Sequence, residues 1–192
     1  MPGLTGITNA RPGAAMAGEE VIGVIGGITV TPRVTITRPD DTTQYTIGDA
    51  WSDSAGAPTV PSFVAARITA GSGLFTGMKA IDSAANATKL GIQVLLFDTT
   101  FTALEDNAAM DMVDAETLRL VAIFEVATTD WVVTNAGAAA AGNCVAQVAP
   151  LGSGYPGFVA LSQTLYVAVR LTNAYTPVSE EVLTLIFDIQ QD

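Results

Sequence analysis

Short runs in which apolar and polar residues alternate recur along almost the whole chain, with turn-forming residues between them. Val34 and Ile36 share one face of such a run, and Leu183, Leu185 and Phe187 share a face of another. Alternation with a period of two is typical of strands with one buried face. Because no regular helix–strand alternation accompanies these runs, the sequence predicts an all-β fold, a jelly-roll or Greek-key β-sandwich.

The individual strands follow from the same pattern. Ser62–Ala70 and Leu74–Ile81 are expected to form a hairpin across the turn Ala70-Gly71-Ser72-Gly73. Ile92–Phe97 is almost entirely apolar, so we expect it to be covered on both faces. The other predicted strands are Val30–Thr37, Tyr45–Trp51, Arg119–Val126, Cys144–Val148 and two closing strands that contain Leu165–Leu171 and Leu183–Ile189.

The stretch between residues 99 and 118 breaks the strand pattern. Thr102–Asn107 and Asp114–Leu118 each resemble a short helical turn, in which Thr102 and Asp114 would act as N-caps. The sequence therefore predicts one or two helical turns within the sandwich.

Residues 1–20 are predicted to be an extended arm, and residues 21–192 a single β-sandwich domain. The arm is rich in Gly, Pro and Ala and is too poor in large side chains to form its own core. Its candidate partner-binding residues are Leu4, Ile7, Arg11 and Met16. One interpretation is an arm that orders on a neighbouring subunit, and the other is a frayed terminus.

Composition bears on the partners. Hydrophobic residues make up 49% of the chain and charged residues 14%, which favours burial of apolar surface in a homo-oligomer or a larger assembly. The net charge of −11 would repel phosphate backbones, so we expect no nucleic-acid partner. We also expect no membrane partner, since the apolar stretch 21–28 is short, rich in glycine and not preceded by a lysine-rich or arginine-rich signal-peptide start.

The residue inventory excludes most catalytic chemistry. The chain has no histidine and one cysteine, so a Ser-His-Asp or Cys-His nucleophile is impossible and a zinc site is not expected. Cys144 lies in an apolar run far in sequence from basic residues, and we interpret it as a small buried hydrophobe. We therefore expect neither enzymatic activity nor a cofactor.

Two groups of residues leave alternatives open. The first is a set of carboxylates within nineteen residues that would suit a calcium site or, as the favoured interpretation, a solvated loop; it consists of Asp98, Glu105, Asp106, Asp111, Asp114 and Glu116. A pair of these carboxylates would also serve a glycosidase. The second group is Trp51 and Trp131, which would act as a sugar-stacking platform or, as favoured, as rim or core residues.

Three segments of the chain, residues 36–54, 71–126 and 164–192, resemble a family of tailed-phage virion structural proteins. The most specific matches are Tyr45-Thr46-Ile47-Gly48-Asp49, Phe97-Asp98-Thr99-Thr100 and Asn173-Ala174-Tyr175-Thr176-Pro177. The resemblance implies a head decoration protein that binds the major capsid protein at the surface of the virion after synthesis in the host cytoplasm. A trimer is the expected oligomer of such a virion protein. The alternative is a carbohydrate-binding β-sandwich module displayed on the particle.

Overall fold

A computed structural model describes residues 28–84, 86–134, 143–152 and 155–192. The predicted arm, residues 1–20, and the first residues of the predicted domain lie outside these ranges. The strands are β1 (Ile28–Val30), β2 (Arg33–Thr37), β3 (Ser62–Val64), β4 (Ser72–Asp82), β5 (Ile92–Phe97), β6 (Leu120–Val126), β7 (Val132–Val133), β8 (Cys144–Val148), β9 (Gly157–Val159), β10 (Thr164–Leu171) and β11 (Val182–Gln191). A helix, α1, spans Asp114–Thr117.

The strands form two antiparallel sheets. In the first sheet β1 and β2 lie end to end along β11, β11 pairs with β4, β4 pairs with β8 and β9, and β8 pairs with β7. The second sheet has the order β3–β10–β5–β6. Strands that follow one another in the chain mostly belong to different sheets, which is the arrangement of two Greek keys in a jelly roll. The predicted jelly-roll fold is therefore confirmed.

The main core lies between the two sheets, because the alternating apolar residues of each strand point inward. Phe187 of β11 stacks on Phe63 of β3, with ring centroids 4.6 Å apart. The ring of Phe187 also lies 5.9 Å from that of Phe124 and 6.4 Å from that of Phe75. Since these rings come from both sheets, this aromatic cluster joins the two layers.

A second, smaller core covers the outer face of the second sheet. The connection 98–119 leaves β5 and crosses this face, where Phe97, Phe101 and Ala168 are buried together. Leu104 and Met110 pack against them. The prediction that Ile92–Phe97 is covered on both faces is therefore confirmed, and this connection is what covers its outer side.

The predicted hairpin between Ser62–Ala70 and Leu74–Ile81 is wrong. The regular strand ends at Val64, and β3 pairs with β10, whereas β4 belongs to the other sheet. The backbone N–H groups of Ala65 and Ala66 both donate to the carbonyl of Gln163, which turns the chain out of the second sheet. The glycine-containing turn therefore serves a crossover between sheets.

The predicted strand Tyr45–Trp51 is only partly correct. These residues run beside β10 through isolated bridges, Tyr45 to Tyr175 and Ala50 to Arg170, without forming a regular strand. Residues 52–61 loop out before β3 pairs with the same strand in a different register. This outward loop explains why the edge of the second sheet is interrupted.

One of the two predicted helical turns is present. Residues 102–107 are not helical, and the N–H of Thr102 donates instead to a carboxylate oxygen of Glu116 at 2.7 Å. In α1 the N-cap is Val113, so Asp114 lies in the first helical turn and is not the cap. The part of the chain that the structure describes contains no helix with the length and apolar character needed to cross a membrane.

Candidate assembly surface

A group of exposed apolar side chains lies at one end of the sandwich. It consists of Val64, Ile68, Val159 and Leu161, each more than half exposed, and we call it the apolar rim. Val64 and Val159 are the last residues of β3 and β9, and Ile68 and Leu161 lie in the connections that follow, 65–71 and 160–163. Val64 and Val159 follow the core residues Phe63 and Phe158 in different sheets, so their side chains point to the two outer faces at this end. Large exposed apolar side chains are typical of contact surfaces.

Hydrogen bonds hold the two connections of the apolar rim together. Gln163 donates from its side-chain amide to the carbonyl of Arg67 at 2.8 Å. The N–H of Ala160 donates to the carbonyl of Gly71 at 3.0 Å. Because both ends of each connection are also strand residues, the apolar rim is fixed by the sheets and is not a loose loop tip.

The described chain begins at the same end. Ile28, the first residue of β1, pairs with Gln191 of β11, and Gln191 pairs in turn with Gly73 of β4. Gly73 pairs with Phe158, the residue before Val159 of the apolar rim. Ile28, which follows residues 1–27 in the chain, therefore lies at the edge of the sheet, in line across the strands with Phe158 and next to Val159 of the apolar rim.

The opposite end of the sandwich has a different character. Asp40, Asp130 and Glu180 are exposed in its connections. Val178 is the exposed large apolar side chain of the connection between β10 and β11. This end, which we call the acidic end, also carries large exposed apolar side chains, among them Ile47 and Val132, so it is mixed in character.

A buried ion pair braces the connections that follow β2 and β5. Nη2 of Arg38 lies 2.9 Å from Oδ2 of Asp106, and the side chains are 0% and 1% exposed. The hydroxyl of Tyr45 donates to Oδ1 of Asp106 at 2.5 Å, and the N–H of Ser52 donates to the same oxygen at 2.9 Å. Nε of Arg38 also contacts the hydroxyl of Tyr45. Both carboxylate oxygens of Asp106 and two guanidinium nitrogens of Arg38 thus have hydrogen-bond partners, as a buried ion pair requires.

Three aromatic rings pack in a row next to this ion pair. Trp51 stacks on Tyr45 with centroids 5.5 Å apart, and the ring of Tyr175 lies 6.3 Å from that of Trp51. Burial and the hydrogen bond to Asp106 raise the pKa of Tyr45 above its ordinary value. The tyrosine therefore stays neutral and acts as a hydrogen-bond donor.

A pair of buried carboxyl groups lies beyond Tyr175. The hydroxyl of Tyr175 donates to Oε1 of Glu181 at 2.6 Å, and the amide of Asn86 donates to the hydroxyl of Tyr175 at 2.8 Å. Burial, followed by the charge of Glu181, raises the pKa of Asp82 to about 8. At neutral pH Asp82 is therefore mainly protonated, which avoids two negative charges in one buried site.

The structure disperses the carboxylates that the sequence groups together. Asp106 is buried against Arg38, Asp98 forms an ion pair with Arg119 at 2.7 Å, and Glu116 accepts hydrogen bonds from backbone N–H groups. Glu105, Asp111 and Asp114 are exposed. Among the described residues, no three carboxylate or cysteine side chains are placed to hold a metal ion. The favoured interpretation, a solvated loop, fits these three exposed residues, whereas Asp106 has a structural role.

Both tryptophans are internal. Trp51 is 3% exposed and Trp131 is 8% exposed, and the indole N–H of Trp131 donates to the carbonyl of Leu90 at 2.5 Å. Neither presents a ring face to solvent, so the sugar-stacking interpretation of these two residues is wrong. They are core residues, as the favoured interpretation held.

Cys144 is fully buried, which confirms that it packs as a small hydrophobe. However, the fold places Nζ of Lys89 at 3.2 Å from its sulfur. The expectation that Cys144 has no basic neighbour is therefore wrong, because separation along the sequence does not measure separation across neighbouring strands.

The four predicted arm residues, Leu4, Ile7, Arg11 and Met16, lie outside the described residues. The apolar rim, in turn, was not identified from the sequence. Val64 and Ile68 fall within the predicted strand Ser62–Ala70, and in the structure it is the face with Phe63 that enters the core.

Comparison with known proteins adds weak similarities only. The sequence matches no protein-family model, and no curated protein is similar to it. Solved structures with weak similarity include chains from the structure of black queen cell virus (11% identity, 98% of this chain and 80% of the other, TM-score 0.26) and from the full particle of Israeli acute paralysis virus heated to 63 degrees (12%, 98% and 81%, 0.29). A chain from the structure of Triatoma virus shows 11% identity over 96% of this chain and 74% of the other, with a TM-score of 0.29. The jelly-roll assignment rests on the strand order itself.

Proposed function

We propose that this chain is a structural protein of a tailed-phage virion, a head decoration protein that attaches to the major capsid protein. The observation that carries the proposal is that the apolar rim and the attachment point of residues 1–27 lie at the same end of the jelly roll. One end can then face the capsid lattice with apolar side chains and an N-terminal segment, while the acidic end faces outward. The resemblance of residues 36–54, 71–126 and 164–192 to virion proteins supports the same role.

In this proposal the N-terminal segment contributes Leu4, Ile7, Arg11 and Met16 to the contact. An extended segment that binds through its backbone and a few anchoring side chains is a common mode of attachment. The protein would act as a homo-oligomer, with a trimer as the expected form, at the surface of the capsid. No enzymatic step is required of it.

The carbohydrate-binding alternative loses its main candidates, because both tryptophans are buried. No described feature favours it over attachment to a capsid.

A binding assay with heads that lack this chain tests the proposal. Ile68→Asp combined with Leu161→Asp places two charges in the apolar rim, and Val178→Asp is the matched control at the opposite end. Burial of each apolar side chain contributes about 1.5–3 kcal/mol, so the double variant should bind at least tenfold more weakly. The control should bind as the unmodified protein does.

Circular dichroism identifies variants that fail to fold, and these exposed positions are expected to tolerate the change. If the double variant and the control co-sediment with heads equally well, the apolar rim is not the attachment surface. A second variant lacking residues 2–18 examines the N-terminal segment separately.

A further inference from the structure

One long edge of the first sheet is open to pairing. β1 and β2 keep a constant register against β11, so every second residue of β1 and β2 hydrogen-bonds to β11. The N–H of Phe187 donates to the carbonyl of Pro32, and the N–H of Arg38 donates to the carbonyl of Glu181, both at 3.0 Å. Even-numbered residues therefore bond to β11, and odd-numbered residues direct their N–H and C=O groups outward. These are Thr29, Thr31, Arg33, Thr35 and Thr37, and no described residue pairs with their backbones.

The edge lacks the usual protection against strand addition. Natural edge strands are interrupted by proline, bulges or several charges. Here Pro32 has its missing N–H on the side of β11, so it does not interrupt the outward row. The register has no bulge, and Arg33 carries the single charge of β2.

A groove of about 210 Å³ runs along the same edge. Residues 33–36 form one wall, and Asp53, Thr59 and Ser62 belong to the other. The carboxylate of Asp53 is already occupied by the N–H and hydroxyl of Thr59. The guanidinium of Arg33 is exposed and forms no ion pair within the described part of the chain.

We propose that residues 20–25 of a second copy of this chain add to this edge as an antiparallel strand, with Glu20 opposite Arg33. The segment reads Glu20-Val21-Ile22-Gly23-Val24-Ile25 and is rich in β-branched residues that favour strands. This register places Ile22 opposite Thr31 and Val24 opposite Thr29, so the outward backbone groups of Thr29, Thr31 and Arg33 find partners, whereas those of Thr35 and Thr37 stay open. It also forms a cross-strand ion pair between Glu20 and the free charge of Arg33.

The geometry favours a second copy over the same chain. In one chain, Gly26 and Gly27 are the only residues between Ile25 and β1. A two-residue hairpin would need Ile28 to exchange bonds with Ile25, but the backbone groups of Ile28 point toward β11. The register proposed here would need a four-residue loop, 25–28, within one chain, but Ile28 is already a strand residue paired with Gln191. Ile28, which follows the segment in the chain, lies beside the apolar rim, where a neighbouring copy would also find apolar contacts.

Disulfide trapping in the free protein tests the inference. In a Cys144→Ala background, Val24→Cys and Thr29→Cys are made in separate chains, mixed and oxidised mildly. We expect a covalent dimer of one chain of each kind, identified by mass spectrometry. Val24→Cys mixed with Thr76→Cys is the control, since Thr76 is exposed in β4, two strands from the edge, and should give no such dimer.

The doubly substituted single chain, Val24→Cys with Thr29→Cys, completes the test. A disulfide within one chain, or the absence of any disulfide, would overturn the inference. As a second measurement, Glu20→Arg and Arg33→Glu should each lower the oligomer fraction in light scattering, and the two together should restore it. Because all these readouts use the free protein, they are independent of attachment to a head.

Discussion

The buried pair Arg38–Asp106 allows a quantitative prediction. Asp106→Asn keeps the shape of the side chain but removes the charge that compensates a guanidinium with 0% exposure. It also weakens the bonds from Tyr45 and Ser52. Removing one partner of a buried ion pair costs about 3–5 kcal/mol. For a chain of this size, that loss corresponds to a fall in Tm of roughly 6–20 °C.

Asp98→Asn is the matched control. Asp98 pairs with Arg119 at 2.7 Å, a similar distance, but Arg119 is 38% exposed and Asp98 is 12% exposed. A pair this accessible to solvent contributes about 1 kcal/mol or less. Urea unfolding followed by tryptophan fluorescence measures both variants. Equal losses in the two variants would refute the argument that burial, and not distance, decides the effect.

Three further predictions concern the core. Because the pKa of Asp82 is raised to about 8 from an ordinary value of 3.8, its contribution is present below pH 4 and is lost as the pH rises through 8. The Tm should therefore fall by about 3–5 °C per pH unit between about pH 4 and 8, and a Tm series from pH 6 to 9 should be flatter for Asp82→Asn; parallel curves would contradict this. Phe187→Ala should lower the free energy of unfolding by about 3–5 kcal/mol in urea titrations, since its ring contacts aromatic rings of both sheets. Cys144 should react with a thiol reagent only as fast as the protein opens, and rapid labelling of the native protein would show that the site is accessible.

Residue alternation was sufficient to predict most strands and the fold class. Cys144–Val148 was predicted with both ends correct, and the strands around Leu165–Leu171 and Leu183–Ile189 were predicted to within three residues. Alternation reports which face of a strand is buried, and that is a local property. Pairing is not local, so the hairpin between Ser62–Ala70 and Leu74–Ile81 was predicted wrongly.

The motifs that carry the resemblance to virion proteins turn out to be structural. Tyr45 and Tyr175 are buried on either side of Trp51, and Asn173 accepts a hydrogen bond from the N–H of Gly91 at 2.7 Å. Sequence showed the residues but not their contacts, since Arg38 and Asp106 are 68 positions apart. The carboxylates of 98–116 were grouped as one candidate site because they are close in sequence, whereas the partner of Asp106 is distant in sequence and therefore not visible there.

The apolar rim could not be derived from the sequence. Val159 and Leu161 come almost a hundred residues after Val64, and hydrogen bonds between residues 160–163 and 67–71 place them at the same end. Exposure of an apolar residue is decided by what the rest of the chain leaves uncovered. No local pattern contains that information.

Cryo-electron microscopy of virus heads with and without this chain tests the central claim most directly. We expect additional jelly-roll density on the outer capsid surface when the chain is present, with the apolar rim and the start of β1 against the lattice and Asp40 and Glu180 directed outward. Identical maps with and without the chain, or density with the acidic end against the lattice, would contradict the account.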